Sequence, residues 1–362
     1  MDIVLNICDD YALDKIWATL LPASAFTSSP SAAFLQVSLN GSSVPVLTSE
    51  SGKWAQLLSY IPHPPLPAAV DDLTPIAPSL ASAWPRDYLP RQVISLFVVT
   101  LIGIHLLYFI CAGLSYYFIF NHEMMKHPRF LKDQVKLEIR HSLKAFPAMT
   151  VLTLPWFIAE IRGYSRLYHN VDEYGVGYMI FSALWYVCHQ ILRPRNTDTR
   201  GVRRFLVFTD FGIYWIHRWE HNPMWYKWLH KPHHKWIVPT PFASYAFHPL
   251  DGYFQSIPYH LFAFVFPLHR MLYLGLFVVV NFWTILIHDS DMITGHPLEK
   301  VINGPAHHTL HHLYFTVNYG QYFTWADRMG NSYRQPASEL DPLKEVQAHL
   351  AKKEKEAPGK QH

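Results

Sequence analysis

The run VISLFVVTLIGIHLLYFICAGLSYYFIF, from Val93 to Phe120, most limits what this chain can fold into, because it contains no charged side chain. About 20 consecutive apolar residues are enough for a helix to cross a bilayer, so we expect a tilted transmembrane helix here. The whole chain is 50% hydrophobic and only 16% charged, whereas soluble domains carry about a quarter charged residues. The run and the composition together predict a membrane protein.

Three further apolar segments follow. AFPAMTVLTLPWFIAE, from Ala145, and VGYMIFSALWYVCHQIL, Val176 to Leu192, are predicted to cross the membrane. The segment from Ile257 to His288 is interrupted by PLHR and is predicted to form a hairpin that enters and leaves on one face. The connections NHEMMKHPRFLKDQVKLEIRHSLK and RPRNTDTRGVRR are basic. The positive-inside rule therefore places them, and everything after His288, in the cytosol.

The two ends differ from this apolar middle. Residues 1–90 are rich in Ser, Pro and Ala and are predicted to be a poorly structured arm with a short helix at YALDKIWATLL. On the lumenal side, Asn40 of an Asn-Gly-Ser sequon is a glycosylation candidate. Residues 91–336 form the predicted membrane-embedded domain, and residues 337–362 form a charged tail whose last part, LAKKEKEAPGKQH, is predicted to be disordered. The predicted fold is all-α, a polytopic membrane protein with a cytosolic helical cap.

Histidines are concentrated in three boxes, one HxxxH and two HxxHH. Residues i, i+3 and i+4 share one face of a helix, so each box is predicted to turn its imidazoles to one side. Pro232 is compatible with the first turn of a helix that carries the second box. His307 falls outside the spacing and is interpreted as a neighbour. The box residues are His217, His221, His230, His233, His234, His308, His311 and His312.

Eight imidazoles exceed the four ligands of a tetrahedral site, so the boxes predict two metal ions. Imidazoles suit Zn, Cu, Fe and Ni alike. A hydrolytic zinc site uses about three protein ligands and an open water, whereas two irons that react with O2 use many neutral donors in a water-poor pocket. An aromatic-rich membrane setting suits a lipid substrate.

Other classes of function lack support. Cys8, Cys111 and Cys188 lie too far apart for a CxxC metal site or a disulfide framework. The net charge of +3 is too small to indicate a nucleic-acid partner, and no basic-aromatic motif is present. No GxSxG, P-loop or GxGxxG motif is present.

The three boxes on a multi-span chain resemble the fatty acid hydroxylase superfamily of membrane di-iron oxygenases. Longer strings resemble the fungal sterol C5-desaturases within it, over roughly residues 83–336. These strings are AWPRDYLPRQ, LPWFIAEIRGYSRLY, YWIHRWEH, LHKPHHKWIVPTPFASYAFHPLDGYFQSIPYH and HTLHHLYFTVNYGQYFTWADRMGNSYRQP.

The resemblance implies that the eight box histidines are iron ligands and that a further histidine joins them. His288, in ILIHDSD, is the best match, and His248, in AFHPLDG, is the alternative. Asp289 is a candidate to orient an imidazole. His260, His269 and His296 are interpreted as interfacial polar residues. In the fifth string, Tyr319, Tyr322, Trp325 and Asp327 are expected to pack over the metals rather than to shape a sterol pocket.

The implied activity is removal of two hydrogens from C5 and C6 of an episterol-like delta-7 sterol in ergosterol biosynthesis. O2 would be the oxidant, with electrons from NAD(P)H through a reductase and a separate cytochrome b5, in the endoplasmic reticulum membrane with the boxes facing the cytosol. Sterol C4-methyl oxidation, or another lipid hydroxylation at the same centre, is the alternative. An inactive sterol-binding protein on the same fold is disfavoured by the intact boxes.

Overall fold

The computed structural model describes residues 1–23, 60–65, 81–169 and 200–356. The predicted crossing at 176–192 and the sequon at Asn40 lie outside the described residues. The described chain is mostly helical and divides into two units, Met1–Val99 and Thr100–His362. The helices are α1 Asp2–Cys8, α2 Asp14–Leu20, α3 Leu89–Phe118, α4 Gln134–Ile161, α5 Arg200–Glu220, α6 Pro223–Tyr226, α7 Pro249–Val265, α8 Arg270–Leu286, α9 Pro305–Tyr314, α10 Trp325–Met329 and α11 Pro342–Glu356.

The first unit is more ordered at its start than the predicted loose arm. A π-helical segment, Asp9–Leu13, joins α1 to α2, so the helix expected at YALDKIWATLL is part of a longer one. The Arg91 side chain, at the start of α3, is buried and lies 2.8 Å from the Asp9 carboxylate. Trp17 Nε1 donates to Ser95 Oγ at 2.9 Å. A buried cation needs such a partner, and the ion pair fastens the arm to α3 within this unit.

Among the described residues, α3 and α4 are long and apolar enough to cross a membrane. Helix α4 contains the predicted span and begins at Gln134, so the second half of the predicted basic loop is helical. Along α3, Ile102, Leu106 and Ile110 are exposed, whereas Tyr108 is fully buried. Exposed apolar side chains on one face and a packed core on the other are compatible with a helix that meets lipid.

The predicted hairpin is two helices, α7 and α8, with a break at the PLHR sequence. His269 caps α8 by accepting from the Met271 N–H at 3.3 Å. At the break, the two-residue strand β2, Leu268–His269, pairs in parallel with β1, Leu167–Tyr168. Helix α7 also packs against α5, where a Cβ at Gly212 would lie 2.7 Å from Pro258 Cγ. Glycine therefore permits the close approach of the two helices.

The segment predicted to be disordered is helical over residues 350–356, because α11 spans Pro342–Glu356. The Asp341 carboxylate caps this helix by accepting from the Leu343 N–H at 2.9 Å. Val346 is buried, and Glu345 lies 2.9 Å from Arg129. A helix cap, a buried apolar contact and an ion pair explain the order, which charge content alone does not predict.

Two buried carboxylates hold the segment between α9 and α10. Asp210, on α5, accepts from the Gln321 and Tyr322 N–H groups at 3.1 and 2.7 Å. Asp327, on α10, accepts from the Tyr319 and Gly320 N–H groups, both at 2.8 Å. Burial raises the pKa of Asp210 to about 7. These bonds fix the backbone at Tyr319, whose carbonyl and ring both contact His217.

Candidate metal centre

The three boxes lie on three different local structures. His217 is in the last turn of α5, and His221 follows the end of that helix. The third box lies within α9, which starts with Pro305 at its first turn. The second box departs from the prediction, because residues 227–235 form a succession of turns rather than a regular helix. Short-range bonds such as His233 N–H to His230 O, at 3.0 Å, hold these turns.

The nine predicted ligands lie together as two adjoining groups, within each of which the ligand atoms lie within 4.8 Å of one another. The five-histidine group contains His217, His221, His230, His234 and His311, and the four-histidine group contains His233, His288, His308 and His312. The groups are neighbours, since the rings of His234 and His312 are 4.8 Å apart between centroids. His288 belongs to the cluster, and the alternative, His248, does not.

The HxxHH boxes divide between the groups in a regular way. In the second box, His230 and His234 join the five-histidine group while His233 joins the other. In the third box, His308 and His312 join the four-histidine group while His311 crosses over. In each box the histidines at i and i+4 belong to one group, and the histidine at i+3 belongs to the other. In α9, residues i+3 and i+4 are 100° apart around the helix, so His311 and His312 face different groups instead of one common side.

The Nε2 atoms converge on each other. His217 and His230 are 3.0 Å apart at Nε2, and His308 and His288 are also 3.0 Å apart. The Nε2 atoms of His234 and His311 are separated by 3.1 Å. Ligand nitrogens at 2.0–2.1 Å from one ion, at right angles to each other, would be separated by about 3 Å. The spacing therefore fits imidazoles around shared metal ions.

Partners on the opposite ring nitrogen explain why Nε2 is turned inwards. Nδ1 of His217 faces the Tyr319 carbonyl at 2.9 Å, and Nδ1 of His311 faces the Val317 carbonyl at 2.7 Å. The other such pairs are His288 with Thr284 O, His312 with Trp236 O, and His230 with the Asp251 carboxylate. A carbonyl or a carboxylate accepts only, so Nδ1 carries the proton and Nε2 carries a lone pair. Converging lone pairs repel unless a cation binds between them.

Burial favours the neutral form of eight of these imidazoles, which is the form that binds metal. Removal from water lowers the pKa of His217 and His311 well below 6.5, and neighbouring histidines lower it further. The pKa of His288 is lowered to about 4, again chiefly by burial. The other histidines with strongly lowered pKa values are His221, His233, His234, His308 and His312.

One contact of the histidine cluster is not indicated by any pattern in the sequence. Asp251 Oδ2 lies 2.8 Å from His230 Nδ1, and both side chains are fully buried. Glu220 is also fully buried, with an oxygen 4.0 Å from the same nitrogen. Desolvation, and then the neighbouring Asp251, raise the pKa of Glu220 well above its ordinary value. The candidate chosen from sequence, Asp289, instead accepts from the Asp291 N–H at 2.9 Å. HPLDGY has no spacing that singles out its aspartate.

The remaining histidines have other surroundings. His248 and His296 cap helices by accepting from the Leu250 and Leu298 N–H groups. His260 is buried and stacks on Trp156, with ring centroids 5.9 Å apart. His307 is buried beside Tyr333 and lies outside both groups. It stays a neighbour, as predicted from its spacing.

The chain matches one protein-family model and is similar to several sterol desaturases and oxidases. The family model for fatty acid hydroxylases matches residues 202–332, a range that includes all nine clustered histidines. The Delta(7)-sterol 5(6)-desaturase ERG3B of Gibberella zeae is 47% identical over 346 residues, covering 96% of this chain and 93% of the relative. The ERG3 desaturase of Candida albicans is 42% identical, covering 98% and 93%. Lathosterol oxidase of Homo sapiens is 50% identical, covering 71% and 80%. No solved structure matches the chain.

Proposed function

This chain belongs to the Delta(7)-sterol 5(6)-desaturase family, and from that membership we propose that it introduces the C5–C6 double bond into delta-7 sterols. It is an oxygen-dependent oxidoreductase of sterol biosynthesis. The observation that carries the proposal is the pair of buried histidine groups in a chain 42–47% identical to fungal desaturases over most of its length.

The proposed reaction removes one hydrogen from C5 and one from C6 and leaves a conjugated 5,7-diene. The sterol supplies two hydrogens, an external donor supplies two electrons, and two protons come from solvent, so that one O2 becomes two waters. Two iron ions, when bound, would activate O2, which the protein's own side chains cannot do. We propose cytochrome b5, reduced by NAD(P)H through its reductase, as the electron donor.

The protein's own part is to bind the metals and to exclude water. The five-histidine and four-histidine groups offer nine imidazoles, and every one of these side chains except His221 is buried. Carbonyl partners on Nδ1 fix the ring orientations before any metal arrives. Such fixed ligands lose little conformational freedom on binding. Burial also protects a reactive oxidant from side reactions with water.

We propose a multi-pass protein of the endoplasmic reticulum membrane, with the histidine groups on the cytosolic side. Helices α3 and α4 supply two candidate spans, and the α7–α8 hairpin adds apolar surface that a sterol in the bilayer would meet. Basic side chains lie just before α4 and in its first turns, as the positive-inside rule predicts for a cytosolic connection. A membrane location also suits a substrate that is itself a membrane lipid.

Expression in a yeast that lacks its own C5-desaturase tests the function directly. We expect a 5,7-diene sterol, detected by its ultraviolet absorption and by mass spectrometry. The same yeast with an empty vector should accumulate the delta-7 sterol. A membrane-inserted protein that yields no diene would overturn the proposal, and oxidised 4-methyl sterols would instead indicate a C4-methyl oxidase.

A further inference from the structure

We propose that Asp251 is the positioning residue for the five-histidine group, acting through His230, and that Gln255 fixes Asp251. This inference rests on the proposed metal-binding function. Asp251 Oδ2 accepts from His230 Nδ1 at 2.8 Å, in a place where both side chains are fully buried. Among the described Nδ1 contacts of the cluster it is the one made to a carboxylate, because the others are made to backbone carbonyls.

The difference between a carboxylate and a carbonyl has a chemical consequence. A hydrogen bond to an ionised acceptor is roughly twice as strong as one to a neutral acceptor. It holds the proton on Nδ1, orients the ring and makes the opposite nitrogen a stronger donor to a metal ion. His230 is well placed to use this effect, since its Nε2 lies 3.0 Å from that of His217, another member of the same group.

The Gln255 amide holds the Asp251 side chain in one rotamer. It lies one turn further along α7, and its Nε2 donates to Asp251 Oδ1 at 2.7 Å. The same amide donates to Glu220 Oε2 at 3.0 Å. Glu220 is the last residue of α5, next to His221. The network therefore joins α5, the turns of the second box and α7, which are three elements around one group of ligands.

The four-histidine group provides an internal comparison. His288 and His312 are oriented by the Thr284 and Trp236 carbonyls, and the structure records no carboxylate contact to this group among the residues it describes. Loss of Asp251 should consequently weaken the binding of the ion in the five-histidine group and leave the binding of the other ion unchanged. This selectivity distinguishes a positioning role from general damage to the fold, which would release both ions.

Iron retention under chelator competition tests the inference. Purified wild-type protein, Asp251→Ala and Asp251→Asn are loaded with ⁵⁷Fe and titrated with a chelator, and iron per chain is followed by elemental analysis and Mössbauer spectroscopy. We expect Asp251→Ala to lose one of two irons at a chelator concentration about 10–100-fold lower than the wild type. Asp251→Asn keeps the shape and one acceptor, so its shift should lie in the same direction but be smaller.

Asp289→Ala is the matched control. Asp289 is a buried carboxylate next to His288 whose recorded hydrogen bond goes to a backbone N–H, and we expect its titration to follow the wild type. If the wild type holds two irons and both Asp251 variants titrate like it, the inference is wrong and the proposed function stands. If the wild type itself holds no iron, the proposed metal centre fails first. Should the alanine variant not fold, the shift of the asparagine variant alone decides.

Discussion

Replacing His311 or His233 with alanine is expected to reduce sterol desaturation by more than about 100-fold while the protein stays inserted in the membrane. Loss of a neighbour that merely orients a ligand costs about 10–100-fold, and loss of the ligand itself should cost more. The two residues test both groups, because His311 belongs to the five-histidine group and His233 to the four-histidine group. Each is also the i+3 histidine of its HxxHH box and lies in a different group from the other two histidines of that box.

Diene formation in the complemented yeast and resistance of the protein to alkaline extraction from membranes are the two measurements. His307→Ala is the matched control, since His307 is a buried histidine of the same helix, α9, that lies outside both groups. We expect it to retain most of the turnover. Wild-type turnover in either ligand variant would remove that residue from the ligand set.

Metal-free protein is expected to lose its stability when the pH falls from about 7.5 to about 5.5. Burial lowers the pKa of several clustered imidazoles in the folded state, to about 4 for His288 and well below 6.5 for His233 and His311. The unfolded chain takes up protons near pH 6.5, and the folded chain does not. The stabilisation is thus complete above about pH 6.5 and is lost as the pH falls towards the folded-state values.

The expected size is large because many groups act together. Each imidazole that stays neutral lowers the free energy of unfolding by up to about 1.4 kcal/mol per pH unit below its unfolded pKa. Several of them approach the total stability of a typical domain, about 5–15 kcal/mol. The measurement is the thermal midpoint of chelator-treated protein in detergent at about pH 7.5, 6.5 and 5.5.

Iron-loaded protein is the control for this pH series. Bound metal competes with protons for the same nitrogens, so the loss of stability should shift to lower pH. An equal midpoint at all three pH values for metal-free protein would contradict the buried, neutral state of the cluster.

The helical elements were predictable where one local pattern decides them. The uninterrupted apolar run gives α3, and the PLHR sequence gives the break between α7 and α8. Order in the tail was not predictable from charge content, because it depends on contacts of Val346 and Glu345 with residues distant in sequence. The second box lies on turns, although its spacing is compatible with a helix, since helical spacing is also satisfied by consecutive turns.

The candidate site was likewise predictable only where a local pattern decides it. Spacing picks out the eight box histidines, but the partition between two groups depends on how three elements meet in space. His288 was singled out through family resemblance and lies in the cluster. Asp251 carries no spacing signal, and its contact with His230 spans 21 positions in sequence. Tyr319 and Val317 contribute through backbone carbonyls, which no side-chain pattern reveals.

The central claim is that the two histidine groups hold one iron each. Elemental analysis of purified, active wild-type protein tests it most directly, with turnover measured on the same preparation. The account predicts about two irons per chain and activity that rises with iron content. Active protein that contains zinc and no iron, or a single metal ion per chain, would contradict it.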